Sequence, residues 1–261
     1  MKTSYILFML TFFTCLTGCS ALKQDTFLPQ AIYIKQHQLI YQGDLTPKRV
    51  NRAIALAKGH TIHEVMIESL GGEVMSSIKF GRWIFQHHLN VKVVNYCTSS
   101  CANYIFPAGN HKYLAKNDIL GWHGGAYQRT NADDNPHQHL PKFINKWRKA
   151  ETAFYHEIGV NPNLPTLGQQ RQFSCQRGGD QGWYYSINDL NRLGIHHIIL
   201  TDGQWHPLIF IGISSCKLTI PNKQAIWKQI QAGHLPIKTE LTVKELHKRT
   251  EISKYIYFNY W

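Results

Sequence analysis

Short runs rich in β-formers alternate along the chain with segments whose apolar residues recur at helical spacing, and each change marks an element. Ala31-Ile-Tyr-Ile-Lys35 and Gln38-Leu-Ile-Tyr41 are short runs rich in β-branched and aromatic residues, which predicts two strands. Thr46-Pro47 opens a helix, with Thr as N-cap and the locked φ of Pro suited to the first helical position. Val50, Ile54 and Ala57 mark its buried face, and Gly59 ends it. Glu64-Val-Met-Ile67 predicts a strand ending at Ser69-Leu-Gly-Gly72. Val74, Ile78, Gly81 and Phe85 then fall on one face of a second helix. Val91-Lys-Val-Val94 is the next strand, with Cys97-Thr-Ser-Ser-Cys-Ala102 at its end and a buried helix over Ala102 to Phe106. Ile119-Leu-Gly-Trp122 is a further strand running into His123.

After a polar loop at residues 128–137, a long amphipathic helix is written in Leu140, Phe143, Ile144, Trp147, Phe154, Tyr155 and Ile158, ended by Gly159. It either packs over the core or forms a wall of a substrate cleft. Residues 161–182, rich in Gly, Gln and Pro, read as a loop. Ser186-Ile-Asn-Asp189 starts a short helix closed by Gly194, and Ile195 to Leu200 forms a strand. Two helices are expected in the C-terminal stretch, the second opened by the capping box Thr242-Val-Lys-Glu245. Strand and helix in alternation imply parallel βαβ units with right-handed crossovers, an α/β fold. The length of 261 residues suits one sizeable core with appendages.

The first residues stand apart from this pattern. Lys2 precedes an apolar run from Tyr5 to Thr14, too short for a durable membrane span and therefore read as an export signal. Leu16-Thr-Gly-Cys19 follows and resembles the bacterial lipobox. That resemblance implies cleavage before Cys19, lipidation of Cys19, and a periplasm-facing anchor in the cell envelope. Ser20 is compatible with the outer membrane. Several acyl chains would hold the protein stably at the membrane. The organisation expected is a signal peptide over 1–18, a tether over 19–30, a main domain over 31–200 and a C-terminal extension over 201–261.

Charge changes the picture little. Losing residues 1–18 removes Lys2 and no acid, lowering the formal charge from +12 to +11, and a basic protein is attracted to an anionic lipid surface. The basic residues are spread along the chain without a recognition motif, so no nucleic-acid partner is expected. The fifteen histidines are scattered without metal-ligand spacing, so neither metal nor cofactor is expected. Besides Cys15 and Cys19 the chain holds Cys97, Cys101, Cys175 and Cys216, which outside the cytoplasm can form up to two disulfides in any of three pairings.

Three stretches in order carry a family resemblance: Glu68-Ser-Leu-Gly-Gly72, Cys97-Thr-Ser-Ser-Cys101 and Gly121-Trp-His-Gly124. Together they resemble the ClpP/crotonase superfamily, and within it the extracytoplasmic ClpP-like serine proteases with a Cys-x-Ser-x-Cys segment. The resemblance spans Ile32 to Leu200 and implies a ClpP/crotonase-like ββα superhelix with a C-terminal helical extension. A serine hydroxyl is a poor nucleophile until a base takes its proton, and a strand-to-helix turn exposes it beside backbone N–H groups. Ser99-Ser-Cys-Ala102 matches the family's elbow, which makes Ser99 the nucleophile; counting back from Pro107-Ala-Gly109 selects Ser100 instead. Gly71, Gly72 and the Ser100 N–H are the oxyanion-hole candidates. His123, 24 residues after Ser99, is the base, its near-neutral titration suiting proton transfer. Asp180 is the nearest match for a third member, though it lies early relative to Trp183-Tyr-Tyr-Ser186, and a Ser-His dyad is the alternative.

The function implied is a serine peptidase or related acyl hydrolase acting on peptide or protein substrates at the envelope, self-associated as a homo-oligomer. The rival of another class is a non-catalytic ClpP-like binding or assembly module. A crotonase-type acyl-CoA enzyme is opposed by export, because its substrate is cytosolic.

Overall fold

The computed structural model describes residues 30–128, 142–170, 173, 175, 182–207, 215–233 and 235. The expected N-terminal signal and lipidated Cys19, the polar loop, Asp180 and the Thr242 helix lie outside them. The chain forms an α/β fold around a mainly parallel sheet of seven strands. β1 (Ala31–Lys35) and β2 (Gln38–Gln42) make an antiparallel hairpin. From β2 onward, β3 (Glu64–Ser69) and β4 (Asn90–Thr98) add in parallel. β4 then serves two partners, β5 (Lys112–Leu114) along its first half and β6 (Ile119–Gly121) at its end. β7 (Gly182–Tyr185) pairs with β9 (Ser215–Leu218) in a small second sheet, while β8 (Ile198–Leu200) extends the main sheet from β5.

The sheet presents two faces. Leu39, Tyr41, Val65, Ile67, Val91 and Val93 point into the core and are fully or almost fully buried. Over that face lie α1 (Pro47–Ala57) and α2 (Val74–Gln86), with α3 (Lys142–Ile158) packed on α2. Thr46 caps α1, its hydroxyl accepting the Arg49 N–H. Glu73 does the same for α2, its carboxylate accepting the Met75 and Ser76 N–H groups. On the opposite face the side chains of β2 and β3 pair across strands, with the Gln38 amide on Glu64 and the Gln42 amide on Glu68.

The C-terminal part shares this core. Trp227 and Ile230 of α5 (Gln224–Gln231) are buried, and the amides of Asn161 and Asn163 both donate to the Ile230 carbonyl. A short α4 (Ile187–Arg192), capped by Ser186, connects β7 to β8. The disulfides are Cys97–Cys101 and Cys175–Cys216, which settles the pairing that sequence left open.

One bend in β4 aims the site. Asn95 takes a left-handed conformation (φ 62°) in mid-strand, where its N–H donates to Asp118 Oδ1 and its side-chain amide to Glu68 Oε1. Beyond the bend the strand leaves β5 for β6, and its pairing with β3 shifts between Ile67 and Ser69. Two strand ends, Ser69-Leu-Gly-Gly72 and Cys97-Thr-Ser-Ser100, are thereby brought side by side. The Thr98 hydroxyl, donating to the Leu70 carbonyl at 3.2 Å, ties them.

Candidate active site

Where β4 stops, the chain turns into a short irregular helix, the elbow helix: a π-turn over Cys101–Ile105 followed by a 3-10 turn over Phe106–Ala108. Pro107 accounts for the irregularity. It has no N–H to offer the carbonyl four residues earlier, that of Asn103, and its ring crowds that carbonyl in a regular helix. The Tyr155 hydroxyl of α3 donates to the Asn103 carbonyl instead, at 3.0 Å. Gly81 of α2 lets the elbow helix approach closely, since a Cβ there would collide with the Tyr104 carbonyl oxygen.

Ser99 sits at the turn itself. Its φ of 57° is left-handed, uncommon for a residue with a Cβ and tolerated where surrounding structure holds it. Its N–H donates to the Gly121 carbonyl at 3.0 Å and its carbonyl accepts the Asn103 N–H at 2.9 Å. The Cys97–Cys101 disulfide closes the loop around it. This turn lifts the side chain to His123, which continues from β6, and Ser99 Oγ lies 2.6 Å from His123 Nε2. Burial pushes the imidazole down to about 4, against a smaller upward pull from its own backbone. The ring is therefore neutral near pH 7 and can accept the serine proton.

Ser100 is placed differently. It is buried, and its hydroxyl donates to the Gly72 carbonyl at 3.0 Å, so Ser99 and not Ser100 faces the histidine. Gly71 and Gly72, both with positive φ (109° and 148°), pass directly beside the elbow. A Cβ on Gly71 would come within 2.8 Å of Ser99 Cβ and 3.0 Å of the Ser100 nitrogen, while one on Gly72 would strike the Leu45 backbone. The Gly71 N–H donates to Ser69 Oγ at 3.1 Å. The Gly71 N–H is thereby engaged, and the missing side chain of Gly71 lets the glycine strand lie against Ser99 and Ser100.

The histidine's loop is held from three sides. Gln169 Nε2 donates to the His123 carbonyl at 3.1 Å, and Asn103 Nδ2 donates to the Gly124 carbonyl at 2.9 Å. Further on, the Ala126 N–H donates to both oxygens of Glu151, at 3.1 and 3.2 Å. Glu151 is fully buried in α3 and also accepts the Tyr104 hydroxyl of the elbow helix at 2.5 Å. Burial pushes its carboxyl up to about 7, against the downward pull of Tyr104, Ala126 and Arg148.

Sequence reading did not assign Asn103, Glu151 or Gln169. Signals existed for two of them. Asn103 interrupts the apolar run Ala102 to Phe106, and Glu151 falls four residues after Trp147 on the apolar stripe of its helix. Gln169 lies in a polar segment without period and had no such signal. Among the described residues there is no cluster of three or more His, Cys, Asp or Glu able to hold a metal ion. A shallow depression on the outer sheet face, lined by Tyr33, Ile40, Met66 and Val94, includes neither Ser99 nor His123. No protein-family model and no curated protein sequence matches the chain.

Proposed function

We propose that this chain is an envelope-anchored serine hydrolase of the ClpP-like type, acting on peptide or protein segments through an acyl-enzyme. The observation that carries this reading is the 2.6 Å hydrogen bond between Ser99 Oγ and a neutral His123 Nε2, made at a left-handed turn that opens a helix. In the acylation step Ser99 Oγ bonds to the substrate carbonyl carbon as its proton passes to His123 Nε2. The oxyanion so formed takes hydrogen bonds from the Gly72 and Ser100 N–H groups. As the tetrahedral species collapses, the scissile bond breaks and His123 returns the proton to the leaving amine. Water then attacks the ester, again through His123, and frees Ser99.

This reading, with the ββα superhelix it implies, is supported by a parallel sheet whose strand ends carry the glycine pair, the elbow and the histidine in that order. Two disulfides favour an oxidising compartment, in keeping with export and lipidation at Cys19. No described helix is long and apolar enough to cross a membrane, and attachment in this proposal is through lipid. Self-association into a homo-oligomer belongs to the same reading.

The test is covalent. A fluorophosphonate probe is expected to label the folded wild-type protein, with Ser99 identified by peptide mass spectrometry, and to leave Ser99→Ala unlabelled. Labelling that survives Ser99→Ala, or its absence from folded wild type, would overturn the hydrolase reading and favour a ClpP-like binding or assembly module.

A further inference from the structure

We propose that Asn103 is a positioning residue for the Ser99–His123 pair, its side-chain amide locking the histidine's loop to the turn that carries the serine. The inference rests on the hydrolase reading above and adds a residue to it.

Three groups of this one residue are committed. The Asn103 N–H donates to the Ser99 carbonyl at 2.9 Å, and the Asn103 carbonyl accepts the Tyr155 hydroxyl at 3.0 Å. The side-chain Nδ2 donates to the Gly124 carbonyl, one residue past His123, at 2.9 Å. A chain of two hydrogen bonds thus joins the backbone of the nucleophile to that of the residue following the base. The joint is needed because His123 is followed by Gly124 and Gly125, whose backbones lose the most freedom when ordered. Gln169 also grips this loop, but from a turn at Leu167–Gln169 that is separate from the elbow. Asn103 grips it from the segment that carries Ser99, so it sets the distance between the two reacting atoms directly.

The residue is poorly chosen for stability alone. Asn103 is 3% exposed, in an otherwise apolar helix, and its Oδ1 has no hydrogen-bond partner among the described residues. A buried acceptor left unpaired is costly. The amide donor is what the fold gains in exchange, and that donor is spent on the histidine's loop.

Asn103→Leu removes the donor while keeping the branching and the number of heavy atoms of the side chain. Asn103→Asp keeps the shape, but its carboxyl can donate to the Gly124 carbonyl only when protonated. With circular dichroism confirming the fold, the fluorophosphonate inactivation constant kinact is expected to fall ~10- to 100-fold in Asn103→Leu, with KI little changed. Asn103→Asp should be similarly slow at neutral pH and recover toward acid, a trend opposite to that of the wild type. A purely structural role would lower the unfolding temperature and leave kinact of the folded protein alone. Wild-type kinact in both variants would overturn the inference while leaving the hydrolase reading standing. Should the wild type itself remain unlabelled, the hydrolase reading fails and the inference is decided by NMR of the His123 ring nitrogens. Displacement of the Nε2 resonance in Asn103→Leu supports it, and an unchanged resonance overturns it.

Discussion

Ser99 Oγ and His123 Nε2 are hydrogen-bonded at 2.6 Å, with an imidazole that burial holds at about 4, below its ordinary 6.5. The base is therefore already neutral in mildly acidic solution. Acylation of Ser99 is expected to be flat from about pH 6 upward and to fall only as pH drops through about 4. A base this weak accepts a proton reluctantly, so modest rates are expected as well. Fluorophosphonate labelling rates measured between pH 3.5 and 8 provide the check. A midpoint near the ordinary histidine value would show that the ring is solvated rather than enclosed.

The glycine strand gives a second prediction. Gly71 has a φ of 109°, and a Cβ there would stand 2.8 Å from Ser99 Cβ. Gly71→Ala must either leave the left-handed region or push the elbow away, and either movement misaligns the oxyanion donors. Loss of one such donor costs roughly 10²- to 10³-fold in rate, and a non-glycine residue in this conformation costs about 1 kcal/mol or more of stability. Labelling is thus expected to fall by at least two orders of magnitude in a protein that still folds, read by probe kinetics and thermal unfolding together.

Much of this arrangement was legible in sequence, for a physical reason. β2 and β3 read as strands because Leu39-Ile-Tyr41 and Val65-Met-Ile67 are short apolar runs rich in β-formers, and the fold buries Leu39, Tyr41, Val65 and Ile67 fully. β5 carries no such mark. It has three residues, and Lys112 among them is buried, its ammonium donating to the His196 carbonyl at 3.0 Å. The β7–β9 pair is equally silent, since its partners meet only across a long stretch of chain. At the site, motif order brought out Ser99 and His123, but the choice between Ser99 and Ser100 depends on φ at Ser99 and the bend at Asn95. Ser99 is not of a type that favours positive φ, and Asn95, which tolerates it, is equally at home in ordinary loops and turns. The disulfide pairing likewise depends on the distance between cysteines in the fold, which sequence does not contain.

The two disulfides should fail in different ways. Cys175–Cys216 joins positions 41 residues apart, whereas Cys97–Cys101 spans a separation of 4. In the chain-entropy model the long loop is worth about 4 kcal/mol and the short one about 2 kcal/mol. Replacing Cys175 and Cys216 by Ala should therefore cost more stability, with little effect on the labelling rate of the folded fraction. Replacing Cys97 and Cys101 should cost less stability but slow labelling, because that bridge closes around the strained Ser99. Urea unfolding and probe kinetics on both double variants test the crossover, and a single ranking in both measurements would contradict it.

Glu151 and His123 titrate with opposite effects on stability. The Glu151 carboxyl binds its proton more tightly when folded, at about 7 against an ordinary 4.5, because burial disfavours the carboxylate. Its contribution is complete below about 4.5 and is lost as pH rises through about 7. The His123 imidazole binds its proton less tightly when folded, so its contribution is present above 6.5 and is lost as pH falls through about 4. Each shift corresponds to roughly 3 kcal/mol, and between about pH 4.5 and 6.5 the two slopes nearly cancel. Glu151→Gln is expected to expose the histidine's slope, losing stability relative to wild type as the solution is acidified. His123→Gln should expose the carboxylate's slope and gain relative stability over the same range. Urea unfolding of the three proteins at pH 4.5, 5.5 and 6.5 measures these slopes, and parallel curves would show that neither group is as enclosed as the packing of α3 on the elbow helix requires.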